Sequence, residues 1–144
     1  MLKTVVATMV LVTAAFAQSQ GGLSNVRPHY TVGETIRYTV TFEGDPNFAS
    51  IMLYFQAGPI RPDQAGLANN FSINRIRKDG PGQYVVEGQI PESTGSGTYQ
   101  LFDVQPRIQP SGVKDYDAKA FNIVFDVDNP VKYLFPPLKN VTPK

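Results

Sequence analysis

The sequence predicts an all-β protein, a sandwich of two antiparallel sheets with about seven short strands. Three observations predict this fold class: apolar residues recur with a period of two, turn-forming residues separate the apolar segments, and no stretch has helical periodicity. The 144 residues include no cysteine, so hydrophobic burial rather than disulfide bonding is expected to stabilise the core.

The first seventeen residues are typical of an export signal. Lys3 precedes an apolar run over residues 5–16, and the small residues Ala15 and Ala17 occupy the two positions that a signal peptidase reads. The run is too short for a membrane-spanning helix, although an uncleaved anchor is the alternative. We expect cleavage after Ala17, which leaves a mature chain of residues 18–144.

Charge and compartment restrict the partners of this mature chain. The sequence has 13 basic and 12 acidic residues, and loss of Lys3 with the signal leaves 12 of each. A neutral chain has no electrostatic attraction to nucleic acid or to anionic lipid. Export without any cysteine favours a bacterial source and excludes a lipid-modified cysteine, so we expect a periplasmic or extracellular protein.

A first strand is expected around residues 23–27, and the best-defined strand follows at residues 34–43. Polar and apolar residues alternate strictly in the second of these, as they do in a strand with one face on a core and the other in water. Its apolar residues are Ile36, Tyr38, Val40 and Phe42.

Residues 51–55 are apolar on both phases, which predicts a central strand covered on both faces. Glycine and proline make residues 57–70 the longest predicted loop. Alternation resumes at Phe71 and Ile73, but Ile76 falls on the opposite phase, so a bulge or a short edge strand is expected there.

The next predicted strand covers residues 83–90, where Gly88 marks a bulge or a close backbone approach. A strand at residues 98–104, a second long loop at residues 105–117 and a last strand at residues 121–128 complete the fold. In the last strand one face is apolar. That face holds Phe121, Ile123, Phe125 and Val127.

The segments QYVVEGQIP, residues 83–91, and GSGTYQL, residues 95–101, resemble the fifth and sixth strands of bacterial immunoglobulin-like and fibronectin-type domains. Tyr99 stands where those domains carry a tyrosine whose hydroxyl bonds back to the preceding connection. The resemblance implies an immunoglobulin-like sandwich over residues 18–129 and a role in adhesion, spacing or recognition. The paired cysteines and the tryptophan of antibody-type domains are absent, which leaves the subfamily open.

The inventory of reactive residues predicts a protein that is not an enzyme. His29 is the only histidine, and neither a cysteine nor a Gly-x-Ser-x-Gly motif accompanies it. Because catalysis by a general base needs a positioned partner, we interpret His29 as a surface residue. One histidine without thiolates does not make a zinc site either.

Four acidic residues are predicted to form a calcium site. In the immunoglobulin strand order, three connections meet at one end of the sandwich. They would bring together the carboxylates of Asp45, Asp79, Asp115 and Asp117. Carboxylate oxygens suit Ca²⁺, but aspartate is also favoured in turns for conformational reasons, and that is the competing interpretation.

A recognition patch is predicted at the same end of the sandwich. Phe48 and Tyr116 are aromatic residues in predicted loops, and Arg107 lies in the second long loop. Aromatic and arginine side chains carry much of the binding energy at protein interfaces. A saccharide platform is the competing interpretation, weakened by the absence of tryptophan.

The last segment, residues 130–144, is a proline-rich tail that either packs along the sandwich or binds a partner as an extended peptide. The sequence as a whole predicts a secreted, non-catalytic binding or structural module of the bacterial envelope that engages another protein. The alternative is a calcium-assisted carbohydrate-binding module.

Overall fold

The computed structural model describes residues 9–14, 27–132 and 138–144. The predicted cleavage site after Ala17, most of the strand expected around residues 23–27 and residues 133–137 of the tail lie outside the described residues. Within the described ranges, no helix is long and apolar enough to cross a membrane.

Strands dominate the described chain, which also contains one short 3₁₀ helix, Lys119–Phe121. The strands are β1 Met9–Ala14, β2 His29–Thr31, β3 Thr35–Phe42, β4 Ser50–Gln56, β5 Asn70–Ile73, β6 Arg75–Lys78, β7 Gln83–Gln89, β8 Gly97–Ile108, β9 Gly112–Val113, β10 Tyr116–Asp117 and β11 Val124–Asp128. The number exceeds the predicted seven because pieces as short as β9 and β10 have no periodicity that a sequence can reveal.

The strands form two sheets, so the predicted two-sheet, all-β fold is confirmed. The order in the first sheet is β1-β3-β7-β6, and the order in the second is β2-β11-β8-β4-β5, with β9 and β10 also paired to β8. Most neighbours run antiparallel, but β2 runs parallel to β11.

One cluster of buried apolar side chains draws on both sheets. Val40 and Val86 of the first sheet and Phe55, Leu101 and Phe125 of the second are each at most 1% exposed. The Phe55 and Phe125 rings meet edge to face, with their centroids 5.2 Å apart. Burial of each such side chain contributes about 1.5–3 kcal/mol, which is how a domain without disulfides is stabilised.

Strand β3 has the alternation predicted for residues 34–43. All four of its even-numbered residues are buried, and its odd-numbered residues are exposed or half-buried. Its antiparallel pairing with β7 runs without a register shift from Thr35, opposite Gln89, to Thr41, opposite Gln83.

The phase change at Ile76 marks a switch between sheets. Strand β5 belongs to the second sheet and β6, which begins two residues later, to the edge of the first. Gly88 faces this crossing, since a Cβ atom placed on it would lie 2.7 Å from Ile73 Cγ2. Because the pairing of β3 with β7 is continuous at Gly88, the glycine serves a close backbone approach and not a bulge.

Two predicted boundaries are wrong. Strand β8 does not end near residue 104, because pairing with β4 carries it on to Ile108. The last strand begins at Val124 and not at residue 121, because Asn122 adopts a left-handed conformation (φ 56°) that ends the 3₁₀ helix. Phe121 and Ile123 still pack against the core.

A network of buried polar groups lies at the end of the molecule where β8 begins. Gln64, fully buried in the loop of residues 57–69, donates from Nε2 to the carbonyl oxygens of Asn129 (2.7 Å) and Val131 (3.0 Å). Its Oε1 accepts from the Ser96 backbone N–H (2.7 Å). The Asn129 side chain donates to Thr94 O (2.7 Å), so one network fixes both connections and the start of the tail.

Tyr99 lies beside this network and is fully buried. Its hydroxyl donates to the carbonyl oxygen of Gly95 at 2.8 Å, with that of Ala68 at 3.3 Å. The bond back to the preceding connection, expected from the resemblance, is therefore confirmed. Burial raises the pKa of the Tyr99 phenol to about 12.

Candidate functional site

The strongest candidate site is a cavity at the end of the molecule opposite the Gln64 network. Strand β8 extends past the core there and folds back through β9 and β10, while the connection from β3 to β4 approaches from the other sheet. The cavity between them has a volume of about 310 Å³. Its lining residues are Phe48, Pro106, Ile108, Gly112, Val113, Lys114 and Tyr116.

The cavity is apolar and open to solvent. Ile108 of β8 is 47% exposed, and Val113 of the pairing strand β9 is 45% exposed. Exposed apolar residues grouped around a concavity mark ligand-binding or interaction sites, whereas isolated ones are ordinary.

A group of aromatic rings holds Phe48 in place. The Phe48 ring lies 4.7 Å from the Phe42 ring and 5.6 Å from the Tyr84 ring, centroid to centroid. The Tyr84 hydroxyl accepts from the Phe48 backbone N–H (3.1 Å) and donates to Pro46 O (2.7 Å). Phe48 is thus fixed by ring packing and by a backbone hydrogen bond, so little ordering entropy remains to be lost on binding.

Tyr116 forms another part of the lining. Its ring lies 6.2 Å from the Phe42 ring, and Lys114 Nζ lies 5.3 Å from the Tyr116 ring centroid. Partial burial raises the pKa of the Tyr116 phenol. The lysine places one positive charge at the rim of an otherwise apolar surface.

The structure brings together two of the three residues predicted to form a recognition patch. Phe48 and Tyr116 line the same cavity, whereas Arg107 is exposed on β8 and is not among the lining residues. On β8, Arg107 points to the face opposite that of Pro106 and Ile108, and its pairing partner Val113 shares that face. We did not predict Ile108 and Val113 from the sequence. The one indication there is that two aliphatic residues occur in a segment rich in proline and glycine.

The first pair of predicted calcium ligands is occupied by basic side chains. Asp45 Oδ1 lies 2.6 Å from Lys78 Nζ and accepts from the Gly82 backbone N–H (3.3 Å). The hydrogen bond from Lys78 lowers the pKa of Asp45. Asp79 pairs with Arg77 at 3.1 Å.

The second pair has other partners. Asp115 accepts from Gln105 Nε2 (2.7 Å), and Asp117 accepts from the Lys119 backbone N–H (3.0 Å), a bond that lowers the pKa of Asp117. Across the described residues, no group of three or more histidine, cysteine, aspartate or glutamate side chains is placed to hold a metal ion.

Asp103 is an acidic residue that the sequence did not single out. It lies on β8 opposite Tyr54 and Asp117. Burial, followed by the neighbouring carboxylates of Asp115 and Asp117, raises the pKa of Asp103 to about 6.

A second, more polar concavity lies on the outer face of the second sheet, with a volume of about 460 Å³. Gln56, Gln100 and Asn122 contribute amide groups to it, and Phe102 contributes a ring whose centroid lies 5.9 Å from that of Tyr54. Gln100 Nε2 donates weakly to the Lys119 carbonyl oxygen at 3.4 Å. The mixture of amides and rings can bind a polar ligand that also has an apolar face.

His29 is exposed at the start of β2, where its backbone is the pairing partner of Asp126.

Comparison of the chain with protein-family models and with curated proteins gives no match.

Proposed function

We propose that this chain is an exported, non-catalytic binding module of immunoglobulin-like type that engages another protein of the bacterial envelope. The residues that precede Gln18 would act as the export signal and be removed. The observation that carries the proposal is the apolar cavity between β3–β4 and the β8–β9 hairpin, with Ile108 and Val113 exposed at its rim.

The strand order supports the immunoglobulin-like assignment. Such domains place strands B, E and D in one sheet and C, F and G in the other. The sheet order β3-β7-β6 corresponds to B, E, D, and the order β11-β8-β4 corresponds to G, F, C. Strand β5 adds to the β4 edge, as a C′ strand does in variable-type domains.

The chemistry of the cavity indicates what it binds. Its lining is mainly apolar and aromatic, so the free energy of binding would come from desolvating an apolar group of the partner. A volume of about 310 Å³ accommodates one or two side chains, not a whole domain surface. The expected ligand is a protein segment that presents an aromatic or branched aliphatic residue, with a carboxylate nearby to meet Lys114.

The test uses the mature chain, residues 18–144, to capture a partner from the envelope of the source organism. The partner is identified by mass spectrometry, purified, and titrated against the wild-type chain and against I108S. Truncation of a hot-spot side chain costs about 1–2 kcal/mol, so the Kd is expected to rise about tenfold. V141S is the matched control, because Val141 is 78% exposed in the tail.

Equal affinity of I108S and the wild-type chain would contradict the proposal. Melting temperatures of both variants must match the wild type, which excludes unfolding as the cause of lost binding. A chain that ends at Asn129 shows whether the tail contributes to the same contact.

The alternative function, a calcium-assisted carbohydrate-binding module, draws support from the outer-face concavity. Amide side chains donate to and accept from hydroxyl groups, while the Phe102 ring offers a face for the C–H groups of a sugar. Retention on envelope polysaccharide that survives I108S but is lost in F102A would favour this function over protein binding. Loss of retention on adding a chelator would support a role for calcium.

A further inference from the structure

The outer edge of β3 is long and bears few of the features that protect sheet edges. The Phe42 N–H donates to Gly82 O on the β7 side, so by alternation the backbone groups of the odd-numbered residues point to the opposite side. Those residues are Thr35, Arg37, Thr39 and Thr41. In the structure, β1 occupies this side, with Val12 opposite Val40 and Ala14 opposite Tyr38.

Cleavage after Ala17 would remove β1 and leave these backbone groups without their ladder partners. The inference therefore rests on the export signal of the proposed function. An exposed row of N–H and C=O groups on an eight-residue strand is a template for pairing with another strand.

The other sheet edges in the described residues are too short or too strongly charged to pair readily with another strand. Strand β6 has only four residues, three of which are basic and exposed. Strands β5 and β2, at the edges of the second sheet, have four and three residues. Strand β3 contains no proline, its pairing with β7 has no bulge, and its one charged residue, Arg37, is engaged with Glu87 at 2.8 Å. It is the edge best suited to accept a strand.

We propose that the β3 edge of the mature chain pairs antiparallel with β3 of a second copy, centred on Thr39. In this register Ile36 lies opposite Phe42 of the second copy, and Tyr38 lies opposite Val40. Apolar residues that face the core in one copy thus meet apolar residues that face the core in the other, as a continuous sheet requires. On the outer face, Thr39 meets its own copy, a favourable cross-strand pair.

Charge complementarity favours a second copy as the occupant. Arg37 and Arg75 share the single carboxylate of Glu87, at 2.8 Å and 2.7 Å, so this outer face carries an uncompensated positive charge. The proposed register brings Glu43 of the second copy to a diagonal position beside Arg37. Glu43 is exposed and, among the described residues, has no ion-pair partner of its own. The twofold axis generates this contact twice.

Sedimentation equilibrium of the exported protein tests the proposal, after its intact mass has shown that it begins at Gln18. The expected result is a reversible dimer. E43K places a cation beside Arg37 at both symmetric contacts and is expected to raise the dimer dissociation constant about tenfold, whereas E92K, at another exposed glutamate, leaves it unchanged. T39P removes an outward N–H without removing a bond to β7, and is expected to weaken the dimer as well.

Several results would overturn the proposal: a monomer at all accessible concentrations, or a dimer that E43K and T39P leave intact. A monomer that dimerises only after removal of residues 18–26 would assign the edge to that segment and overturn it too. An intact mass that retains residues 1–17 would show that the edge stays covered. I108S is expected to leave dimerisation unchanged, which separates this test from that of the cavity.

Discussion

Tyr99 shows how one hydroxyl can join parts of the chain that are distant in sequence. Its ring lies in the core, 5.4 Å from the Phe71 ring and 6.3 Å from that of Phe125, while its hydroxyl reaches Gly95 O. The residue therefore ties β8 to the connection that precedes it. A phenol at a fully buried position needs such a partner, because an unpaired hydroxyl there is costly.

Y99F is expected to lower the free energy of unfolding by about 1–2 kcal/mol, since it removes the donor and leaves the Gly95 carbonyl without it. Urea unfolding monitored by fluorescence or circular dichroism measures the change. Y54F is the matched control, because Tyr54 is only half-buried on the outer face of the second sheet. An equal effect of both substitutions would show that the Gly95 bond contributes no net stability.

Asp103 makes stability depend on pH in the direction opposite to most carboxylates. Its pKa is about 6 in the folded chain, above its ordinary value, so the folded state binds the proton more tightly than the unfolded state. This contribution to stability is present at low pH and is lost as the pH rises from about 4 to about 6. Four other carboxylates have lowered pKa values, so their contribution to stability is lost as the pH falls below that range. They are those of Asp45, Glu87, Asp117 and Asp126.

D103N is therefore expected to gain stability relative to the wild-type chain between pH 4 and pH 7, by roughly 1 kcal/mol after allowance for solvent screening. Urea unfolding of both chains across this range gives the difference, in which the common carboxylates cancel. A flat difference for D103N would show that protonation of Asp103 does not stabilise the fold.

Single residues also show what a sequence reveals about this candidate site. Phe48 and Tyr116 were predictable because aromatic residues in turn-rich segments are uncommon unless they pack or bind. Ile108 and Val113 were not, because their exposure depends on a hairpin that forms only through pairing of β8 with β9. The calcium prediction rested on four turn aspartates, and it could not anticipate that Lys78, Arg77, Gln105 and Lys119 would engage them separately.

Among the elements, the strands with strict alternation were the most predictable. Strand β3 lies within the predicted range because every second residue contacts the core. Boundaries failed where tertiary pairing or a single backbone conformation decided them, as at Ile108 and Asn122. The chain switches between sheets after Ile73, and in the sequence this switch is visible only as a change of phase in the apolar alternation. The phase change predicted an irregular strand, but it did not predict that the chain crosses to the other sheet.

The first residues of the tail are also held by contacts that the sequence pattern did not predict. Val131 donates its backbone N–H to Asn129 Oδ1 (3.0 Å), and its carbonyl accepts from Gln64. Leu138, by contrast, is 82% exposed. Among the residues of the tail that the structure describes, the anchored part is therefore the start, held by bonds that side-chain patterns do not encode.

A mature chain that ends at Lys132 is expected to match the full mature chain in stability within about 0.5 kcal/mol, because it retains both Val131 bonds. A chain that ends at Asn129 loses them, leaves Gln64 Nε2 with Asn129 O as its one remaining acceptor, and is expected to lose about 1–3 kcal/mol. Thermal and urea unfolding of the three chains provide the comparison. A large loss on ending at Lys132 would show that residues 133–137 pack on the domain.

At the scale of the whole molecule, the two ends of the sandwich differ in chemistry. The Gln64 network closes one end with buried polar groups that bond to one another, Thr94 Oγ1 being the exception, while the other end carries an open apolar cavity. The periodicity of the sequence predicted two sheets, but it did not predict this difference between the two ends of the sandwich. Gln64 is one amide in a loop rich in glycine and proline, and only the packing of Asn129 and Ser96 around it makes it a core residue.

The parallel pairing of β2 with β11 determines how the domain would respond to mechanical tension. The Asp126 N–H donates to Pro28 O (3.0 Å) and the Val32 N–H donates to Asp128 O (3.1 Å), so the first and last core strands are joined side by side. A pull on the two termini draws these strands in opposite directions along their length. The hydrogen bonds are then loaded together in shear and do not open one at a time, which raises the force needed to separate the two strands.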